Sequence, residues 1–304
     1  MRLSLFLRYL CFACSFLQLV WLSAQGPQSL DFHFQKIRTE DYPRVRQAID
    51  SIRNLETVHD TILGYSVHWE ALISGIETNS GLDEIYLLYK KADTLLRTAS
   101  IQTRVQLWIN LGISAYRSRN YVASTNYMKQ AEYAIEQHHL PLKPAQLMIW
   151  LTQGSLAINE GDMEAGLAAF LKAKAEYDRN QFEATDYKIK ILASLGFGYD
   201  IMELYKQAIP YHLNVYQLGN KNSIVDVGIL AILASDYSKV GMFDSALFWV
   251  NTSLEIVRKT HSSNHEDNIR PLRVKAAIFH RLGKNNQAIA VGKRVIEILK
   301  NAHG

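Results

Sequence analysis

Only two of the 304 residues are cysteine, Cys11 and Cys14, and both stand within the first fourteen positions. The remainder of the chain can form no disulfide and run no thiol chemistry, so its stability must come from packing. A dominant sign of charge is missing as well: 33 Lys and Arg face 29 Asp and Glu, a net +4. That balance is too even to argue for nucleic acid as a partner. Beyond residue 24 no stretch is long and apolar enough to cross a membrane. Catalytic signatures are absent too: there is no Gly-rich loop followed by Lys, no Gly-x-Ser-x-Gly elbow and no His-Glu-x-x-His. Gly196-Phe197-Gly198 matches half a dinucleotide fingerprint, but it lies in a helical pattern with no strand before it, as packing glycines do. The expectation is a protein that is not an enzyme, with no catalytic, cofactor-binding or metal residues and no cofactor.

The first segment, MRLSLFLRYLCFACSFLQLVWLSAQG, carries Arg2 and Arg8, an apolar run from Tyr9 to Leu22, and then Leu22-Ser23-Ala24. That order is a secretory signal peptide cut after Ala24. Retention as an anchor is disfavoured because the run is shorter than the roughly 20 residues a span needs. Lipidation at Cys14 is disfavoured because no leucine stands three residues before it. Without the leader, 31 basic residues face 29 acidic ones, a net +2. The protein is expected to be exported, to the periplasm or the cell envelope.

A fixed period then dominates the chain. Sites equivalent to Gly112 and Gly154 occur at Ile73, Gly196, Ala234 and Ala276, at spacings of 38 to 42 residues. Twelve residues after each anchor come Ile85, Ser124, Gly166, Ala208, Ala246 and Ala288; four before it stand Trp69, Trp108, Trp150, Leu192, Leu230 and Leu272. Within each unit apolar residues recur every three or four positions on both sides of a short turn, such as Glu160-Gly161-Asp162 or Val240-Gly241-Met242. Each unit is therefore a pair of helices. Small residues let the two axes approach, while Trp108, Trp150, Phe170 and Val250 fill the space beside the contact. One such pair cannot bury its apolar face alone, so neighbouring pairs must stack.

These positions resemble the tetratricopeptide repeat family in its longer variety, over about Gly64 to Asn301, through Leu195-Gly196, Tyr199, Ala208 and Gly241 to Ala246. The departures are Gln153 and Lys275 for the usual leucine, His212 and Gly292 for a large apolar residue, and Ile85 for a small one. The resemblance implies an all-α, right-handed superhelical solenoid of about six helix pairs. Residues 1–24 are then the signal peptide, 25–63 a linker and capping helix, and 64–304 the array. The capping helix opens at Asp41-Tyr42-Pro43 and sets Val45, Ile49, Ile52 and Leu55 on one face.

The family holds extended peptides or protein segments against the first helices of successive units. Carried over by position, the first unit offers Glu70, Ser74 and Glu77. The second and third offer Ile109, Ile113, Tyr116, Arg117, Met148, Leu151, Ile158 and Asn159. The fourth offers Lys190, Phe197 and Asp200, and the last two offer Lys239, Arg270, Arg273, His280 and Arg281. In that order the face runs from acidic through apolar to basic. The implied partner is a protein or peptide. Glu70 and Glu77 stand where chaperone-binding members need Lys and Asn, so that ligand class is not implied.

Two histidine groups remain. His138 and His139 precede Leu140-Pro141 at a helix end, a common place for imidazoles. His261, His265 and Asp267 are spaced so that they could meet a metal, but they fall in the polar loop between two units with no Cys nearby. The last helix, from Asn285, carries Ile289, Val291, Val295, Ile296, Ile298 and Leu299 on more than one side. An array needs a polar cap, so a second copy or another partner is expected to cover it. The leading reading is a free-standing scaffold in the bacterial cell envelope. The alternative is a shortened sensor half of a transcriptional regulator or histidine kinase, lacking its span and output domain.

Overall fold

The computed structural model describes residues 46–47, 49–50, 60–77, 81–141, 143–180, 182, 185–219, 224–261 and 265–303. The signal-peptide stretch, and Val45, Ile52 and Leu55 of the expected capping helix, lie outside them. Among the described residues all regular structure is helical, and no helix is long and apolar enough to cross a membrane. The helices follow one another as α1 (Asp60–Glu77), α2 (Leu82–Leu95), α3 (Ile101–Arg117), α4 (Tyr121–Gln137), α5 (Lys143–Asn159), α6 (Met163–Asn180), α7 (Thr185–Ile201), α8 (Tyr205–Leu218), α9 (Ile224–Lys239), α10 (Phe243–Thr260), α11 (Ile269–Arg281) and α12 (Asn285–His303). A 3-10 turn, Glu266–Asn268, leads into α11. The chain divides into two compact units, up to Thr152 and from Gln153 onward, each described by itself below.

Five described hairpins share one backbone device. Seven residues after their anchors, Arg119, Gly161, Glu203, Gly241 and Gly283 have φ of 61°, 94°, 59°, 83° and 72°. The following amide reaches five residues back: Asn120 N–H donates to Ala115 O, Asp162 to Ala157, Leu204 to Tyr199, Met242 to Tyr237 and Lys284 to Phe279, at 2.8–2.9 Å. This left-handed stop satisfies carbonyls that the helix end would otherwise leave open, and glycine enters it without a Cβ clash. Arg119 and Glu203 adopt it without that freedom.

In the first unit, α3 and α4 cross where the repeat requires small residues. A Cβ on Gly112 would stand 2.5 Å from Met128 Cε, and the Ser124 hydroxyl donates to the Gly112 carbonyl over 2.7 Å. The hydroxyl is thus accommodated in a buried crossing only because the backbone of the partner helix accepts from it. Val67, Leu107, Trp108, Leu111, Met128, Ala131 and Ile149 build the core around this crossing. Ser100 and Asn120 cap α3 and α4, accepting from the amides of Thr103 and Ala123, which contributes about 1 kcal/mol each. Ile49 is buried with Ile73, and half-buried Trp69 packs against them. His68 is buried edge-on to Tyr89, ring centroids 5.6 Å apart, and burial lowers its pKa to about 4.

The second unit repeats the crossing with different side chains. Phe170, fully buried, fills the space opposite Gly154, where a Cβ would meet its ring at 2.5 Å. At Gly196 the facing residue is His212, whose ring would collide with any Cβ there. His212 is the departure from a large apolar residue, and the structure gives its reason: its Nδ1 lies 2.7 Å from Asp236 Oδ2 of α9, both side chains almost wholly buried. A polar link thus ties α8 to the next pair, with burial raising the Asp236 pKa against the pull of His212. Ala234, Ala246, Val250 and Ile278 close the following crossing.

The end helix differs from its expected form in one respect. Ile298 is fully buried and Val295 nearly so, while Ile289, Ile296 and Leu299 are exposed. Ile298 belongs to the inner face of α12 and is not available to a second copy of the chain.

Candidate functional site: the first-helix face of the second unit

On α7, Ile191, Leu192 and Leu195 are buried, Gly196 meets α8, and a Cβ on Gly198 would stand 3.3 Å from Phe170 of α6. At about 100° per residue these positions cover one side of the helix and leave Phe197 pointing the opposite way. It is 41% exposed, and Ile201, one turn on, is 39% exposed. Lys190, Ser194, Phe197 and Ile201 therefore form one line, at spacings of four, three and four residues.

The same line recurs on the next first helices. On α9 it is Gly228, Ile232, Ser235 and Lys239, each only half-buried, while Val227, Leu230, Ala231, Leu233 and Ala234 beside them are buried. On α11 it is Arg270, Val274, Ala277 and Arg281, flanked by Arg273 and His280, and all of these but Val274 are exposed. Two contacts show that the lines run side by side. A Cβ on Gly228 would lie 3.6 Å from Arg270 Nη1, and Lys239 Nζ donates to Asp200 Oδ1 over 3.0 Å. Small residues at Gly228 and Ser235 keep the middle line low. The result is a face with apolar side chains, Phe197 and Ile201, along one edge and guanidinium groups along the other.

Its charges are unequally engaged. Lys239 also lies over the Tyr205 ring, 4.1 Å from the centroid. Burial works against its charge, but the hydrogen bond and field of Asp200 outweigh that and hold the ammonium above the usual lysine range. Among the described residues no carboxylate forms an ion pair with Arg270, Arg273 or Arg281.

The sequence-derived positions divide by where they fall. Lys190, Phe197, Lys239, Arg270 and Arg281 lie on the three lines, Arg273 and His280 beside them, and Asp200 is held by Lys239. In the first unit Arg117 is exposed, Tyr116 is half-buried 5.7 Å from Tyr121, and Glu70, Ile113 and Met148 are half-buried, the last two against the core. Asn159 is exposed at the end of α5. Ile109 and Leu151 are corrections: both are buried, as are Ser74 and Ile158. Ile109 and Leu151 each stand three residues before an anchor glycine, roughly 60° from it around the helix, and so share its inward face. The side chain of Glu77 lies outside the described residues. Ile201 was missed by sequence reasoning, although the four-residue step from Phe197 points to it.

The comparisons fit this architecture. The family model for the tetratricopeptide repeat matches residues 227–301, which is α9 to α12. Among solved structures the chain is similar to BtubC from P. vanneervenii, with a TM-score of 0.60 and 15% identity over 74% of this chain and 94% of that one. A putative kinesin light chain with TPR-like repeats from Podospora anserina gives 0.55 and 14%, covering 66% and 96%. A Rap protein complexed with competence and sporulation factor gives 0.61 and 14%, covering 84% and 79%. At such identities these likenesses speak to the fold. A comparison with curated proteins gives no match. Repeat folds of this kind are generally protein-interaction scaffolds and not enzymes. With paired helices, a recurrent left-handed stop and small residues at the crossings, the chain has a tetratricopeptide-like repeat fold, and the family model itself matches its last two helix pairs.

Proposed function

We propose that this protein is a non-enzymatic scaffold, exported to the bacterial cell envelope, which takes an extended peptide or protein segment across the first-helix face of its second unit. The observation that carries this is the co-alignment of exposed Phe197 and Ile201 with arginines that have no acidic partner among the described residues. An exposed apolar edge beside unengaged guanidinium groups suits a segment with acidic residues and one or two apolar side chains. Rap, a protein of similar fold, is complexed with competence and sporulation factor in its structure, which supports ligand capture as a use of such arrays. Export rests on the leader sequence, Arg2 to Ala24.

The test is affinity capture from an envelope extract of the parent cell, comparing the protein with a Phe197→Ala, Arg273→Glu, Arg281→Glu variant that keeps its circular dichroism. One protein retained by the parent form and lost with the variant supports the reading. Capture of the same material by both forms refutes the assignment of this face. Intact mass of the protein recovered from the producing cell reads export separately, since removal of residues 1–24 lowers it by a fixed amount.

A further inference from the structure

The polar loop between α10 and α11 gathers three metal-ligating side chains. His261 follows the last residue of α10 in an extended conformation, φ −139° and ψ 176°. His265 opens the 3-10 turn and Asp267 lies within it. His265 Nδ1 is 3.0 Å from Asp267 Oδ2, and His261 Nδ1 is 3.8 Å from the same oxygen. The two imidazoles stack, with ring centroids 4.0 Å apart and planes 26° from parallel. One ligand atom from each of the three residues falls within 4.8 Å of the other two. All three side chains are about one-third exposed, at 33%, 37% and 36%, so a hydrated ion can reach them.

Capping the turn accounts for part of this. His265 Nδ1 accepts from the Asp267 amide over 3.3 Å, an ordinary turn contact, and His261 Nδ1 stands 2.9 Å from Thr260 Oγ1; an ion held by the Nδ1 atoms would take the place of both contacts. Capping does not account for a second imidazole drawn onto the first. From these distances we propose that His261, His265 and Asp267 bind a transition-metal dication of the zinc class. Three ligands on a tetrahedral ion with bonds of about 2.0–2.2 Å stand roughly 3.3–3.5 Å apart, and the two imidazole–carboxylate separations, 3.0 and 3.8 Å, bracket that value. Two neutral imidazoles and one carboxylate suit zinc, nickel or copper and disfavour the all-oxygen preference of calcium and magnesium. The three ligands leave a fourth position for water. Because His261 ends one helix pair and Asp267 begins the next, the ion would clasp the joint between α10 and α11. The binding face of the second unit includes α11, so the clasp also fixes one edge of that face.

The test is isothermal titration calorimetry of the untagged protein with Zn²⁺ in a non-chelating buffer at pH 7.5, with Ca²⁺ as the control for ion class. One equivalent of Zn²⁺ is expected to bind with a dissociation constant below about 100 µM and no detectable Ca²⁺ heat. His261→Ala, His265→Ala and Asp267→Asn should each weaken zinc binding at least about tenfold, while a His138→Ala, His139→Ala variant should leave it unchanged. Saturating zinc should also raise the melting temperature of the parent protein, and not that of His261→Ala. Should an alanine variant lose its circular dichroism, His261→Gln and His265→Gln take its place. Zinc binding that is absent, that survives these substitutions, or that is lost only with His138 and His139 overturns the proposal.

Discussion

Acid should loosen the first unit through His68. Its imidazole is 7% exposed, packed edge-on against Tyr89, and burial holds its pKa down to about 4 against an ordinary 6.5. The folded state therefore favours neutral His68, and the unfolded chain binds the proton first. The stability this represents is fully present above pH 6.5 and disappears as the pH falls through 6.5 towards about 4. At about 1.4 kcal/mol per pH unit, a histidine with those two pKa values removes about 2.5 kcal/mol between pH 7 and pH 4.5. Urea unfolding at the two pH values reads this directly. In the protein without residues 1–24, and so without Trp21, a Trp249→Phe background silences the second unit's indole and leaves Trp69, Trp108 and Trp150 as reporters in the first unit. His68→Phe keeps a ring against Tyr89 and does not titrate, so its unfolding free energy should lose about 2.5 kcal/mol less than the parent over the same interval. Equal pH dependence in the parent and His68→Phe proteins would refute the burial argument for His68.

The remaining expectations concern the second unit and are read by thermal or urea unfolding. Ala246→Arg should cost about 2 kcal/mol or more, because Ala246 is fully buried among Ala234, Val250 and Ile278 and a close crossing has no room for bulk or unpaired charge. An unchanged melting curve would show that the repeat register is misplaced. Asp236→Ala should cost about 3 kcal/mol, since it strands the buried His212 ring, and Asp236→Asn, which keeps a hydrogen-bonding group, should cost less. Glu203→Gly should stabilise by about 0.5–1 kcal/mol, because Glu203 holds φ at 59° where the equivalent Gly161, Gly241 and Gly283 meet no Cβ clash. A loss of stability there would mean that the Glu203 side chain makes up for its backbone conformation.

Much of the fold was legible because helix crossings are geometric. Where two axes approach closely, the side chains at the contact must be small, and the neighbour sixteen residues on must fill what is left. Gly112 with Met128, Gly154 with Phe170 and Ala234 with Val250 obey this, and their spacing in the sequence alone locates the contacts. His212 broke the apolar rule, and its explanation lies 24 residues away in Asp236, where a carboxylate turns a misplaced imidazole into a link between pairs. A single sequence shows His212 and Asp236 separately but does not show that they meet. The left-handed stop was legible at Gly161, Gly241 and Gly283 and hidden at Arg119 and Glu203, where the same backbone is imposed on residues that do not advertise it.

The candidate face was harder to read, and the reason is angular. Along a helix two residues three apart differ by roughly 60° in direction, which is enough to carry a side chain from the groove into the core. Three residues before the anchors, Ile109 and Leu151 turn inward while Arg273, at the equivalent place in α11, stays exposed. Register alone assigns these three the same role; charge separates them, because a guanidinium cannot follow isoleucine into an apolar crossing without a partner. The basic members of the sequence-derived set in the second unit, Lys190, Lys239, Arg270, Arg273 and Arg281, accordingly lie on or beside the face, whereas the aliphatic members fall in or against the core. Phe197 is the exception that carries weight. It is a large apolar side chain on the outward line of α7, set between two glycines that pack inward, and solvation gives no reason for a phenylalanine there. Under the proposed function a partner segment buries it. For that reason the single substitution Phe197→Ala should weaken capture of a bound segment by about 2 kcal/mol or more while leaving the melting temperature of the free protein nearly unchanged, and a variant that loses both together would place Phe197 in the fold instead of the site.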